Sequence, residues 1–145
     1  MYSIDKNHNK IKRLEERTFS QLGFKEREHL QEWIAKDPSC LGEELLIIQK
    51  EFDGFQDTRE RLDLLALDKQ GNLVIIENKL DDSGRDVTWQ VIKYASYCSG
   101  LSKDEIRSIF QDYIRKQGKS ESAEDIISDF LEKEDFAEIQ LNQGA

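Results

Sequence analysis

Two short apolar runs joined by a turn dominate the hydrophobic pattern of this chain. From Arg61 to Lys79 it reads RLDLLALDKQGNLVIIENK. Leu62, Leu64, Leu65, Ala66 and Leu67 form the first run, and Leu73, Val74, Ile75 and Ile76 the second. Runs of this length, bounded by turn residues, predict two largely buried strands. Asp68 and Asn72 bracket Lys69, Gln70 and Gly71, a three-residue hairpin loop with glycine at the left-handed position. Counting back from that loop places Asp63 opposite Glu77. Side chains alternate along a strand, so Glu77 and Lys79 share a face and Asn78 points away. Two carboxylates and an ammonium therefore gather at the open end of the hairpin. Buried charge is costly unless it pairs or binds something, and a cation with hard oxygen ligands would fit there.

The flanking pattern supplies the rest of an α/β domain. KEREHLQEWIAKDP places Leu30, Trp33 and Ile34 at helical spacing and ends at Pro38, with His29 as a surface residue. LGEELLIIQKEF predicts a turn into a strand over 45–49, with Glu51 at its rim and the option of lining a cleft. FDGFQDTRE is an exposed loop placed to meet a substrate, and LDDSGRD is a polar link that Asp86 closes as a helix cap. The helix VTWQVIKYASYC aligns Val87, Gln90, Val91, Tyr94, Ala95 and Cys98 on one face. Trp89 and Tyr97 are packing residues elsewhere on it. Gln90 is an amide in an apolar stripe and needs a partner if buried.

Amphipathic helices follow over 103–116 (Ile106, Ile109, Phe110, Tyr113, Ile114) and 122–134 (Ile126, Ile127, Phe130, Leu131). A short terminal strand is expected over 138–142. At the amino terminus an extended segment from Tyr2 to Ile4 and a turn over 6–9 lead into an arm. Ile11, Leu14 and Phe19 are expected to dock that arm against the body.

Composition changes this picture in one respect. The net charge is −9, from 21 basic and 30 acidic residues among 145. The excess lies in the later part: residues 1–50 carry 9 of each sign, 51–100 carry 6 basic against 10 acidic, and 101–145 carry 6 against 11. No broad basic surface is advertised, which weighs against strong non-specific duplex binding. Cys40 and Cys98 give neither a disulfide framework nor zinc spacing. No stretch has the apolar core of a signal peptide or the length of a membrane span, so a cytoplasmic protein that does not engage membranes is expected.

Asp63, then Glu77-x-Lys79 on the next strand, then Gln90 and Tyr94 as Q-x-x-x-Y on a helix, resemble the PD-(D/E)XK nuclease superfamily in its RecB-like and NucS-like branch. The likeness covers about Lys25 to Tyr97, roughly half the chain. Leu62 stands where the superfamily's name has proline. The resemblance implies a restriction-endonuclease-like αβββαβ core with a mixed central sheet flanked by helices. On that view 1–24 is an arm and 25–100 the nuclease-like core. Residues 101–145 would be a helical insertion and the candidate start of the last strand: either 138–142 supplies that strand, or the chain is a piece of a longer protein whose next residues complete the sheet.

The resemblance also implies roles. Asp63, Glu77, the Asn78 carbonyl and a glutamate of the first helix would hold Mg²⁺ or Mn²⁺; Glu26 is preferred to Glu28 for that fourth place. Lys79 would stabilise charge on the phosphate, acting by its charge more than as a base. Gln90 would orient the attacking water, a phosphate or the carboxylates. Tyr94 would support it or touch nucleic acid, and Arg61 would contact a phosphate or form a surface ion pair. The activity implied is metal-dependent hydrolysis of phosphodiester bonds in DNA, by an endonuclease-like enzyme, and a homodimer is compatible with it. Two other readings stand beside it. One is a nuclease-like domain that binds nucleic acid or a protein without cutting; the other is a plain α/β domain whose Asp63, Glu77 and Lys79 are a structural ion-pair cluster.

Overall fold

In the computed structural model, residues 1–54, 60–80 and 85–143 are described, the first two of the last group by backbone alone. In chain order they form β1 (Tyr2–Asp5), β2 (Lys10–Arg13), a π-helical turn over Glu26–Leu30 that runs into α1 (Gln31–Lys36), β3 (Leu46–Phe52), β4 (Leu62–Leu67), β5 (Leu73–Ile76), α2 (Arg85–Cys98), α3 (Lys103–Lys116) and α4 (Ala123–Phe130). The substrate-facing loop expected after β3 falls largely on residues outside this description. So do the 81–84 link and the side chains of Arg85 and Asp86.

The sheet explains why β4 is apolar throughout. Its order is β3-β4-β5 with both pairings antiparallel, so β4 is the central strand and all six of its residues are buried. Leu62, Leu64, Leu65 and Leu67 have no solvent exposure. Burial of a leucine side chain contributes about 1.5–3 kcal/mol, so this one strand supplies a large part of the core. The register Leu64 to Ile76 and Leu67 to Leu73 leaves the predicted loop of Lys69, Gln70 and Gly71. The Asp68 carbonyl accepts from Gly71 N at 3.1 Å and the Asn72 carbonyl from Asp68 N at 3.0 Å, with Gly71 at φ +81°. A Cβ on Gly71 would also stand 2.7 Å from the Gln140 carbonyl oxygen, so only glycine fits.

α3 starts at a capping box in which Ser102 and Glu105 satisfy each other's backbone amides. It buries Ile106, Phe110, Tyr113 and Ile114 in the same core as the sheet, joined by Ala123 and Ile127 of α4. The hairpin loop is tied to α4, because Lys69 Nζ donates to the Phe130 carbonyl at 2.7 Å, a cation at a helix C-terminus.

Several expectations are corrected. The described sheet is purely antiparallel, not mixed, and residues 138–142 form no strand. Instead Ile139 and Leu141 are buried against the core and Asn142 binds across two elements. Its N–H donates to the Gly71 carbonyl at 2.9 Å, and its Nδ2 donates to the Cys98, Ser99 and Leu101 carbonyls at 2.8, 3.3 and 2.9 Å. These apolar residues satisfy burial without a ladder, which is why their strand-like pattern misleads. Ile11 and Leu14 do not dock but are exposed, while Phe19 meets Phe24 and Trp33 edge-on. Trp89 is 69% exposed, because it lies off the inward face of α2 that carries Tyr94 and Cys98. His29 has partners: its Nδ1 accepts from Lys25 N at 3.0 Å and its ring packs on Phe24.

Candidate active site

Beyond the last paired residues, Leu64 and Ile76, the two hairpin strands continue into Asp63 and Glu77. Asp63 is 6% exposed, and its Oδ2 accepts from the Asn78 backbone N–H at 2.8 Å. The Glu77 side chain is 5% exposed; its Oε1 lies 3.5 Å from Lys79 Nζ. Its Oε2 is buried and has no hydrogen-bond partner among the described residues. The Asn78 side chain points elsewhere and is itself buried.

The π-helical turn brings a third carboxylate. Glu26 Oε1 accepts from Leu80 N at 3.1 Å, and its Oε2 lies 3.8 Å from Lys79 Nζ. Glu28 faces the opposite way and pairs with Lys25 at 2.7 Å on the surface. Of the two candidate glutamates, Glu26 is thus the one at the cluster. Lys79 stands between Glu26 and Glu77 and links the first helical turn to the strand end.

Burial governs the electrostatics. The Asp63 carboxyl is pushed above the ordinary aspartate value by desolvation, against the Asn78 N–H and the charges of Lys79 and Arg27. Glu77 is pushed up by desolvation and then by the charge of Asp63. Tyr94 is buried and its hydroxyl is raised to about 12, first by desolvation and then by Glu77, Glu60 and Asp63. It therefore remains a donor, and it bonds the Arg61 carbonyl at 3.3 Å.

The other sequence candidates sit around this cluster. Gln90 is half-buried on the face of α2 that carries Tyr94, one turn earlier. Arg61 forms a surface ion pair with Glu51 at 3.6 Å, both partly exposed. Glu51 adopts φ +52°, a left-handed conformation that costs a non-glycine residue about 1 kcal/mol, within β3. Arg27 was not singled out in the sequence, yet its charge acts on both Asp63 and Tyr94. Its only signal is adjacency to Glu26.

Two raised carboxyls make a pH prediction. Both groups keep their protons to higher pH in the fold than in the unfolded chain. In that window the folded state binds more protons, so stability falls as pH rises from the ordinary carboxylate range through the raised values. Asp63→Asn with Glu77→Gln should flatten this fall, read as urea midpoints against pH. An unchanged pH slope in the double variant would mean that neither group is perturbed.

The donor set suits a hard divalent cation. Glu77 Oε2 is a buried acceptor without a hydrogen-bond partner among the described residues, while the carboxylate as a whole feels the charge of Asp63 and is held by Lys79 and the Asp63 backbone N–H. Among the described residues no three His, Cys, Asp or Glu side chains are grouped so as to hold an ion alone. Two carboxylates completed by a backbone carbonyl and waters is a mode of binding that Mg²⁺ uses, because it keeps much of its hydration.

No family model matches the chain, and no curated protein or solved structure matches it. Function is therefore read from the cluster itself. Among the described residues, no helix is long and apolar enough to cross a membrane.

Proposed function

We propose that this protein is a metal-dependent nuclease of PD-(D/E)XK type that hydrolyses phosphodiester bonds in DNA. The observation that carries the reading is the buried, unpartnered Glu77 Oε2 beside Asp63, at the open end of a hairpin whose Lys79 reaches the same carboxylate. Asp63, Glu77 and the Asn78 carbonyl would hold Mg²⁺ or Mn²⁺. The chemistry such an ion supplies is activation of a bound water and neutralisation of phosphate charge. Glu26 holds Lys79 and the Leu80 amide, fixing the strand end. Lys79 presents its ammonium to the charge that builds on phosphorus. Gln90 orients the attacking water from α2. Tyr94, held protonated, fixes the entry to β4 through the Arg61 carbonyl, and Arg61 at the rim is free to exchange Glu51 for a phosphate.

Mn²⁺ titration by calorimetry tests the site. The intact chain should bind, and Asp63→Ala with Glu77→Ala should lose binding. Cleavage of branched, single-stranded and duplex DNA then tests the activity. Failure of the intact chain to bind Mn²⁺ or Mg²⁺ would overturn the reading.

A second reading is a nuclease-like domain that binds without cutting. It is favoured by the absence of a strand after α2 among the described residues and by the net charge of −9. Mn²⁺ binding with no cleavage of any of the three DNA forms would select it.

A further inference from the structure

The amino-terminal hairpin differs from the rest of the molecule in both exposure and charge. All eight strand residues of β1 and β2 are exposed. The register Tyr2 to Arg13 and Ile4 to Ile11 puts these four side chains on one face, and Ser3, Asp5, Lys10 and Lys12 on the other. Tyr2, Ile4 and Ile11 are 60%, 73% and 70% exposed. A two-stranded ribbon in water is marginally stable at best, and an uncovered apolar face on one marks a contact surface.

Charge says what kind of partner fits. Residues 1–14 carry four basic side chains against one acidic, while the remaining chain carries seventeen against twenty-nine. The single carboxylate is already engaged: Asp5 accepts from the amides of Asn7 and His8 at 3.0 and 3.2 Å and pairs with His8 Nδ1 at 2.8 Å. Among the described residues, Lys6, Lys10, Lys12 and Arg13 form no ion pair. In the body Lys50, Arg61, Lys69, Lys79, Lys93 and Arg107 form ion pairs, whereas others such as Lys36, Lys116, Lys119 and Lys133 likewise form none among the described residues. The hairpin thus carries a local excess of positive charge, with Glu15 and Glu16 directly after it, on an otherwise acidic protein.

We propose that this hairpin is an arm that grips double-stranded DNA, with Lys6, Lys10, Lys12 and Arg13 on phosphates. A two-stranded ribbon is of a size that the major groove admits, and a duplex offers a negative charge about every 1.7 Å along its axis. A second copy stacked on the Tyr2, Ile4 and Ile11 face is a poorer partner, since it would leave Lys10 and Lys12, on the opposite face, without a counter-charge. The arm rests on DNA being the partner of the Asp63 cluster, though not on any bond being cut. It supplies the local positive charge that the acidic body lacks.

Fluorescence anisotropy with a labelled duplex of about 20 base pairs, in EDTA so that nothing is cut, tests the arm across a salt series. The full-length chain is compared with Lys10→Ser, Lys12→Ser, Arg13→Ser in one variant. Losing three phosphate contacts should reduce the slope of log K against log salt by about 2.7 and weaken binding roughly a hundredfold at 0.1 M salt. The substituted positions are exposed, so an unchanged thermal midpoint is expected and confirms that the body is intact. Equal binding by both proteins would overturn the arm, as would no binding by the intact chain. Concentration-dependent dimerisation that the triple variant abolishes, with DNA binding unchanged, would overturn it in favour of a contact between copies. Failure of Mn²⁺ binding with the arm's salt dependence as expected would sink the nuclease reading alone.

Discussion

Replacing Lys79 by alanine should lower DNA cleavage on the order of 10²–10³-fold in kcat while Mn²⁺ binding persists. That is the loss typical of removing one preorganised charge or donor aimed at a developing oxyanion, about 2.7–4 kcal/mol of barrier. The geometry separates the two effects. Lys79 has no oxygen to offer a metal, so its removal takes nothing from the proposed donor set of Asp63, Glu77 and the Asn78 carbonyl. Its ammonium does lower the pKa of both carboxyls, so without it they hold protons to still higher pH. Mn²⁺ affinity of the variant should therefore fall most steeply at the acidic end of the pH range, where proton and metal compete. Single-turnover cleavage at saturating Mn²⁺, paired with calorimetry at two pH values, reads both. Full cleavage by the alanine variant would reduce Lys79 to a strut between Glu26 and Glu77.

Leu65→Ala should destabilise the fold by about 2–5 kcal/mol, the range for truncating a fully buried leucine. In a domain of this size that is on the order of 10 °C in Tm. Leu65 has no exposure and lies on the central strand, opposite Gln49 on β3 and Ile75 on β5. Sheet neighbours on both sides prevent collapse into the space left, which favours the upper part of the range. It also shares a face of β4 with Asp63, two residues away. Mn²⁺ affinity measured well below the new Tm should nonetheless survive, because the hairpin backbone that presents Asp63 and Glu77 is kept. Differential scanning calorimetry checks the first claim, and a loss below about 1 kcal/mol would contradict the packing described.

The hairpin was legible because everything that sets it is local. Apolar runs of fixed length, a turn with glycine where φ must be positive, and alternation together fix the relation of Asp63 to Glu77. The choice between Glu26 and Glu28 was also present, though faintly. Glu26 precedes Leu30 and Ile34 at intervals of four, so it shares their inward face, whereas Glu28 does not. The terminal segment misled for a different reason: Ile139 and Leu141 read as a strand because they are buried, and a backbone ladder is only one way to bury them. The arm misled because exposed Ile11 and Leu14 look, in sequence, like any docking pair. Arg27 acts over distance through charge, and no spacing rule marks such a residue.

Asn142 clasps the turn at Gly71 and the joint between α2 and α3. Its partners are far away in the chain, so this closure carries a large loop entropy that the hairpin turn itself does not. The β4–β5 unit can therefore form early, from contacts within its own short span. The clasp is expected to close late, after the helices have docked, and Asn142→Ala should then speed unfolding more than it slows folding. Interactions made after the folding barrier slow escape from the native state without hastening arrival. The last described residues of the chain thus act as a latch on the lifetime of the fold, holding shut a structure that other residues build.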